Sequence, residues 1–395
     1  MDDDEEDRSF DSNEEQEIVQ NQTVQASISL GMTDQTKVLV TGGAGYLGSH
    51  IVYYLLEKGV SVKVTVRDIT ETSRYEHLKQ LDNPKHSRLQ FAEAKLTDKE
   101  CWKNIMHDCH AVIHVASPTP FKAPKQELEV IYPAVEGTLA ILHAAVELGI
   151  RRVVMTSSFS AVKGGKYKLT YNEEAWGDPE NVTSIEKSKI FSERAAWYFQ
   201  KEKADKLDLT VICPGFLLGP CLQKHFDFSS GLFFKKFMDG RVTSLLKMHV
   251  PVCDVRDAAL VHVQALWNSN SVNNRYICVQ GSHWFESFST ILSREFETNG
   301  FAFPSKIISA FPLKLIAFFD SGVRTMLPFY GKEIFFSNEK LKKDFSFNFR
   351  SFDETLIDMA KDFIDKKFID RVKAKSNHDE ESDYKLPELA ETKKD

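Results

Sequence analysis

Between Thr41 and Gly48 the chain reads Thr-Gly-Gly-Ala-Gly-Tyr-Leu-Gly, which sets Gly42, Gly45 and Gly48 three residues apart. An apolar β-branched run, Val38-Leu39-Val40, precedes this stretch, and apolar residues at helical spacing follow it from Tyr46 to Lys58. Glycines at a strand-to-helix junction have a chemical use. The first permits a tight turn, the second lets the backbone approach a pyrophosphate, and the third allows the helix to lie close on the strand. The free amides at the helix start then face the anion. The implied ligand is a dinucleotide. A second strand, from Val62, ends at Val66-Arg67-Asp68, and Arg74 follows just beyond it. An acid at such a strand tip binds the ribose hydroxyls of NAD, whereas an arginine accommodates the extra phosphate of NADP. Arg67 at the tip, with Arg74 after it, favours NADP(H).

Other reactive residue types group less informatively. His107, Cys109, His110 and His114 are close in sequence, but they straddle a helix end and a buried strand, so their side chains diverge and no metal is expected. The six cysteines, at 101, 109, 213, 221, 253 and 278, form no Cys-x-x-Cys pair, in keeping with a reducing compartment. Asp254 and Asp257 stand where a helix from Ala258 begins, and capping is the expected role. Trp176, after Glu173 and Glu174, lies in a loop before a helical stretch. Asn21 and Asn181 match the glycosylation tripeptide and, without a secretion signal, imply nothing.

These residues need elements to position them. Short apolar runs at Val38–Val40, Val62–Val66, Leu89–Phe91, Ala111–Val115, Val153–Met155 and Leu209–Ile212 alternate with helical stretches at Tyr46–Lys58, Lys99–Met106, Tyr132–Leu148 and Ser184–Lys203. Continuous apolar strands separated by helices predict a parallel sheet covered on both faces. The fold class is therefore α/β, a doubly wound parallel sheet of Rossmann type. After Pro214 the alternation breaks down, and 22 of the 29 phenylalanines fall beyond Pro220, including the pairs Phe233-Phe234, Phe318-Phe319 and Phe335-Phe336. A smaller, discontinuous C-terminal α/β substrate domain with an aromatic interior is the expectation. The helical Asp257–Val263 and the strand-like Arg275–Val279 read as returns to the first domain. The division is residues 1–36 as an acidic disordered tail, 37–215 as the dinucleotide-binding domain with returns near 252–280, 216–375 as the substrate domain, and 376–395 as a second acidic tail.

The charge supports that division. Eleven acidic residues stand against Arg8 alone before Lys37, and seven against three basic ones from Ser376 onward, so the chain's formal −7 resolves into a body of +7. Like charge with low hydrophobicity predicts disorder at both ends, where an unidentified partner could bind. The body shows no dense basic stripe, which gives nucleic-acid binding no support. No apolar run reaches the roughly 18 residues of a spanning helix. The longest candidate, Ile307–Phe319, contains Lys314. The acidic start is unlike a signal or transit peptide, so a cytoplasmic protein is expected.

The motifs quoted, with His114-Val115-Ala116-Ser117-Pro118, Pro133-Ala134-Val135-Glu136-Gly137-Thr138, Arg152-Val153-Val154-Met155-Thr156-Ser157-Ser158, Pro214-Gly215 and Asp254-Val255-Arg256-Asp257, carry a resemblance over about Lys37 to Phe368. The chain resembles the extended short-chain dehydrogenases/reductases of the NAD-dependent epimerase/dehydratase superfamily. Within them it is most similar to the branch of dihydroflavonol reductases, cinnamoyl-CoA reductases and 3β-hydroxysteroid dehydrogenase-like proteins. The resemblance implies an oxidoreductase acting on a CH-OH or carbonyl group of a small apolar substrate, often a homodimer. It implies a cofactor contact set of Thr41, Gly42, Gly45, Tyr46, Leu47, Gly48, Arg67, Arg74, Leu96, Ala116, Ser117, Lys189 and Pro214. The family's acid near the adenine falls on Lys95, which cannot accept a hydrogen bond, leaving the backbone of Leu96 for that contact.

The resemblance also implies a Ser-Tyr-Lys catalytic set. Ser158 matches the serine and Lys189 the lysine. The tyrosine belongs four residues before the lysine, where both share one helix face. That position is Ile185. Isoleucine has no proton to give; Ser184 has the wrong phase, Glu186 points away around the helix, and Tyr167 and Tyr171 in the preceding loop are the nearest phenols. Two readings follow. One is an NADP(H)-dependent oxidoreductase with impaired or rerouted proton transfer. The other is a pseudoenzyme that binds NADP(H) as a sensor, scaffold or subunit.

Overall fold

A computed structural model describes residues 36–82, 87–120, 124–225 and 228–369. The expectations for residues 1–35 and 370–395 fall outside the described residues. Twelve strands are described: β1 (Lys37–Thr41), β2 (Ser61–Val66), β3 (Leu89–Glu93), β4 (Ala111–His114), β5 (Arg152–Thr156), β6 (Thr170–Tyr171), β7 (Asp208–Pro214), β8 (Phe216–Leu218), β9 (His249–Asp254), β10 (Asn274–Cys278), β11 (Gly281–Trp284) and β12 (Phe335–Phe336). Seven of them form one sheet in the order β10-β7-β5-β4-β1-β2-β3. Every pairing within it is parallel. This is the doubly wound sheet the alternation predicts.

The apolar runs are continuous because both faces are covered. In β1, Val38 and Val40 enter the core on one face while Leu39 enters the core on the other. The helices Tyr46–Glu57 and Val255–Trp267 lie on the first face and pack on each other; the helices Lys99–Met106, Leu128–Glu147 and Ser184–Glu202 lie on the second. The sequence order reverses between β1 and β4, and a ligand crevice opens outside the strand ends at such a switch point. Thr41 and His114 face each other there in register.

Beyond Pro214 the chain adds a three-stranded sheet, β11-β9-β8, and the short strand β12, which pairs back onto β6. Its phenylalanines form an aromatic core in which Phe234 meets Phe363 edge-on at 5.5 Å and Phe288 meets Phe352 at 5.0 Å. That core is contiguous with the Val38/Val40 face of the main sheet, not separate from it. Of the phenylalanine pairs, Phe234 and Phe336 are buried, whereas Phe318 and Phe319 are both exposed. The expected aromatic interior thus takes in Phe234 and Phe336 but not Phe318, Phe319 or Phe335.

One helix differs from expectation in length. Leu128–Glu147 begins four residues before the predicted Tyr132 and holds Pro133 within its first two turns. It runs 20 residues, and its most apolar 18-residue window has a mean hydropathy of 1.2, long and apolar enough to cross a membrane by length and composition alone. It lies instead against the Ser184–Glu202 helix and the sheet, and half of its most apolar window is buried there. The outward side keeps Leu128 and Tyr132 exposed.

Candidate active site

At the end of β1 the backbone turns through Gly42, whose φ of +64° falls in the left-handed region that a glycine adopts freely. A Cβ there would stand 3.0 Å from Ala116 Cα, so the glycine turn abuts the loop after β4 backbone to backbone. A Cβ on Gly48 would stand 2.3 Å from the Gly42 carbonyl oxygen, which makes glycine obligatory for the helix to approach. Gly45 precedes the Tyr46–Glu57 helix as its N-cap and supplies no side-chain cap. The first helical amides are therefore available to an anion. Thr41 holds this floor together. Its Oγ1 accepts from the amides of Val115 at 3.1 Å and Ala116 at 3.2 Å and lies 2.8 Å from His114 Nδ1. With two donors already on Oγ1, its hydroxyl hydrogen goes to Nδ1, and His114 Nε2 donates to Thr138 Oγ1 at 3.2 Å. Burial, reinforced by the charge on Lys189, lowers the His114 pKa to about 3, so the ring is neutral at pH 7.

The sequence-selected cofactor residues are not equivalent. Tyr46 and Leu47 are buried, and Tyr46 points away from the crevice: its hydroxyl donates to the Gly219 carbonyl at 2.7 Å and its ring stacks on Phe228 at 3.9 Å. What these two residues can offer an anion is backbone. Arg67 is exposed at the tip of β2 with no ion pair or hydrogen bond among the described residues. Arg74 is engaged, its Nε 2.8 Å from Glu71. Asp68 accepts from the amide and hydroxyl of Thr70, which lowers its pKa. Lys95 is exposed, and the Leu96 carbonyl accepts from the Trp102 indole at 3.2 Å, leaving the Leu96 amide for a ligand. Ala116 and Ser117 are half-buried, and Pro214 ends β7. The glycine cradle and the uncommitted Arg67 fit a dinucleotide carrying an extra phosphate.

Ser158 caps the short Phe159–Lys163 helix, its Oγ accepting from the Ser160 amide at 3.1 Å. Lys189 and Ile185 lie one turn apart on the Ser184–Glu202 helix, which begins with a capping box: Thr183 Oγ1 accepts from the Glu186 amide, and Glu186 Oε2 accepts from the Thr183 amide at 2.9 Å. Glu186 is thus committed to the cap, and its other oxygen pairs with Lys163 at 3.5 Å. Lys189 Nζ has no hydrogen bond or ion pair among the described residues. Burial lowers its pKa from 10.5 to about 8, with Cys213 acting weakly in the other direction.

The hydroxyls of Tyr167 and Tyr171 are both engaged. Tyr171 is buried, stacks on Phe336, donates to the Lys166 carbonyl at 2.9 Å and accepts from the Lys168 amide at 2.8 Å. Tyr167 donates to the Glu333 carbonyl at 3.2 Å. Both hydroxyls are bonded to backbone groups, Tyr171 within its own loop and Tyr167 across to the segment before β12.

A buried network next to these residues escaped the sequence reading. Glu193, one turn beyond Lys189 on the same face, is fully buried and accepts from Ser157 Oγ at 2.6 Å, Trp197 Nε1 at 3.2 Å and Arg275 Nη2 at 3.1 Å. Arg275 Nε lies 2.8 Å from Glu193 Oε1 as a charge contact off the N–H direction, so Nη2 makes the true hydrogen bond. Arg275 also donates to the carbonyls of Glu173 at 2.9 Å and Ala175 at 2.7 Å, and Trp176 covers its guanidinium at 4.1 Å. The indole of Trp176 thus serves a structural cation. The readable signals were a glutamate on an inward helix face and an arginine in an apolar strand, each of which demands a partner.

The remaining candidates are structural. Asp254 caps the Val255–Trp267 helix and holds Arg256 and Thr355; Asp257 is bound by Arg350. His107 faces the Asn104 carbonyl, His110 accepts from the Lys37 amide and Cys109 is buried. No metal-holding group of three occurs among the described residues.

Comparison with known proteins gives the same picture. The NAD dependent epimerase/dehydratase family matches residues 38–278. Cinnamoyl-CoA reductase 1 of Arabidopsis thaliana is 31% identical over 336 residues, spanning 83% of this chain and 89% of that protein. Cinnamoyl-CoA reductase 2 of Medicago truncatula is 34% identical over 262 residues, 65% of this chain and 74% of its own. Among solved structures, vestitone reductase from alfalfa superposes with a TM-score of 0.66 at 26% identity over 85% of this chain and 100% of its own. A yeast methylglyoxal/isovaleraldehyde reductase complexed with NADPH gives a TM-score of 0.70 over 84% of this chain and 99% of its own, and its 24% identity makes that a likeness of fold.

Two outcomes are expected from the site's charges. Glu193→Gln leaves Arg275 buried without its counter-charge and lowers unfolding stability by about 3–5 kcal/mol in urea titrations; an unchanged midpoint would refute the pairing. For Lys189, the unfolded chain keeps the proton up to 10.5 while the folded one releases it near 8. The unfolded state therefore binds more protons in that window, and stability rises with pH across it. Lys189→Met should remove this rise and be the more stable form below pH 8; equal slopes for the two proteins would show that the amine is not depressed.

Proposed function

Because the chain belongs to the NAD dependent epimerase/dehydratase family, the extended short-chain dehydrogenases/reductases, we propose that it is an NADP(H)-dependent reductase of a small apolar carbonyl compound, working without a built-in proton donor. The observation that carries this reading is the crevice with its glycine cradle, Ser158 and an unpaired Lys189 in place, beside an isoleucine where the phenol belongs. When bound, NADPH supplies a hydride to the carbonyl carbon. Thr41, Gly42, Gly45 and Gly48 shape the pyrophosphate turn, the amides of Tyr46 and Leu47 face the anion, and Arg67 receives the extra phosphate. Ala116, Ser117 and Pro214 line the nucleotide's path past the strand ends. Lys189 holds the nicotinamide ribose, and its unpaired ammonium keeps positive charge where the alkoxide develops. Ser158 Oγ donates to the carbonyl oxygen.

The proton that completes the alcohol comes from water or a dissolved acid. Loss of a positioned general acid lowers a rate by about 100- to 10,000-fold, whereas cofactor binding is untouched. A second reading, nucleotide binding without turnover, draws on the commitment of both Tyr167 and Tyr171 to other partners. The relatives named cinnamoyl-CoA reductase support a carbonyl or thioester of an aromatic acid as the first class of substrate to try.

Fluorescence titration should show NADPH bound at least about tenfold more tightly than NADH, with Arg67→Ala abolishing the difference. A preference for NADH, or one that ignores Arg67, would overturn the cofactor assignment. Ile185→Tyr should raise turnover of an aldehyde and ketone panel by about 100-fold or more. A parent protein already as fast as the variant would mean another group donates the proton, and a variant that binds NADPH yet stays inert would favour the binding-only reading.

A further inference from the structure

Phe318 and Phe319 stand 75% and 82% exposed at the end of the short Ala310–Ile316 helix, and Phe311 and Leu315 on that helix are 72% and 53% exposed. The same segment turns Leu313 and Ala317 inward, where both are buried. It is therefore an anchored element with a second, outward apolar face. Single exposed apolar side chains are ordinary, but a cluster of three phenylalanines and a leucine marks an interaction surface.

The charge along this segment is mainly positive. From Ser305 to Thr325 the basic residues are Lys306, Lys314 and Arg324, and the one acid is Asp320. Asp320 is occupied as the cap of the Ser321–Met326 helix, accepting from the Val323 amide. Arg324 reaches back to the carbonyls of Ala317 at 2.9 Å and Phe318 at 3.1 Å, which fixes the turn that presents the two rings. Aromatic side chains flanked by lysine and arginine suit the boundary between headgroups and acyl chains, where rings enter the apolar layer and cations meet anionic lipid. A second copy of the chain fits less well, because a symmetric contact would gather the Lys306, Lys314 and Arg324 cations of both copies at one seam with only the capped Asp320 of each to oppose them.

We propose that Phe311, Leu315, Phe318 and Phe319, framed by Lys306, Lys314 and Arg324, dock the protein on an anionic membrane surface. Docking of this kind is peripheral and reversible. It is independent of whether the site turns over.

The test is co-sedimentation of the full chain with vesicles of phosphatidylcholine alone or with about 30% phosphatidylserine. The protein should pellet with the anionic vesicles and less so as salt rises. F318S combined with F319S should reduce the bound fraction about tenfold or more at unchanged thermal unfolding, and so should F311S with L315S; K306E with K314E should remove the preference for phosphatidylserine. Failure to bind anionic vesicles, or binding unaffected by both apolar double variants, overturns the proposal. A concentration-dependent dimer that F318S/F319S dissolves also overturns it and assigns the surface to a second copy.

Discussion

A carboxylate that folding removes from water has to be neutralised where it stands, and the burial of Glu193 constrains everything around the crevice. Its partners come from separate parts of the chain: Ser157 from the end of β5, Arg275 from β10, and Trp197 from its own helix. Arg275 in turn holds the loop at Glu173–Ala175. One interaction thereby fixes the helix that carries Lys189 against the strand end that carries Ser158. Removing one partner of such a buried pair costs about 3–5 kcal/mol, a large part of the roughly 5–15 kcal/mol that stabilises a domain. The geometry of Ser158 and Lys189 is thus a consequence of stability as much as of chemistry.

That coupling positions Ser158 and Lys189 without calling on the side chain at 185. Ile185 sits in the first turn of the helix, above the buried network, and the capping box of Thr183 and Glu186 starts the helix without help from the side chain at 185. Nothing in the fold requires a phenol there. The nucleotide crevice is similarly independent, since Thr41 ties β1 to β4 through His114 and two amides on the far side of the switch point.

Much of this was legible in the sequence because it is local. Glycine spacing gave the turn, β-branched runs gave six of the seven main-sheet strands, and Arg275–Val279 gave the seventh as a return. What was not legible is pairing across distance. Glu193 and Arg275 are 82 residues apart, and neither alone announces the other. The commitments of Tyr167, Tyr171 and Arg74 depend on loop geometry that no periodicity encodes. Phe318 and Phe319 read as interior because composition cannot distinguish a ring that is covered from one that stands in solvent.

The proposed activity rests on a hydride-transfer frame that lacks its own proton donor. Its most direct test is the rate of NADPH oxidation by an apolar aldehyde on the unmodified protein, followed at fixed pH and ionic strength over a range of buffer-acid concentrations. A slow rate that climbs in proportion to the buffer acid is expected. A rate indifferent to the buffer would mean the protein supplies the proton itself, and no oxidation at any buffer concentration would mean it is not a reductase.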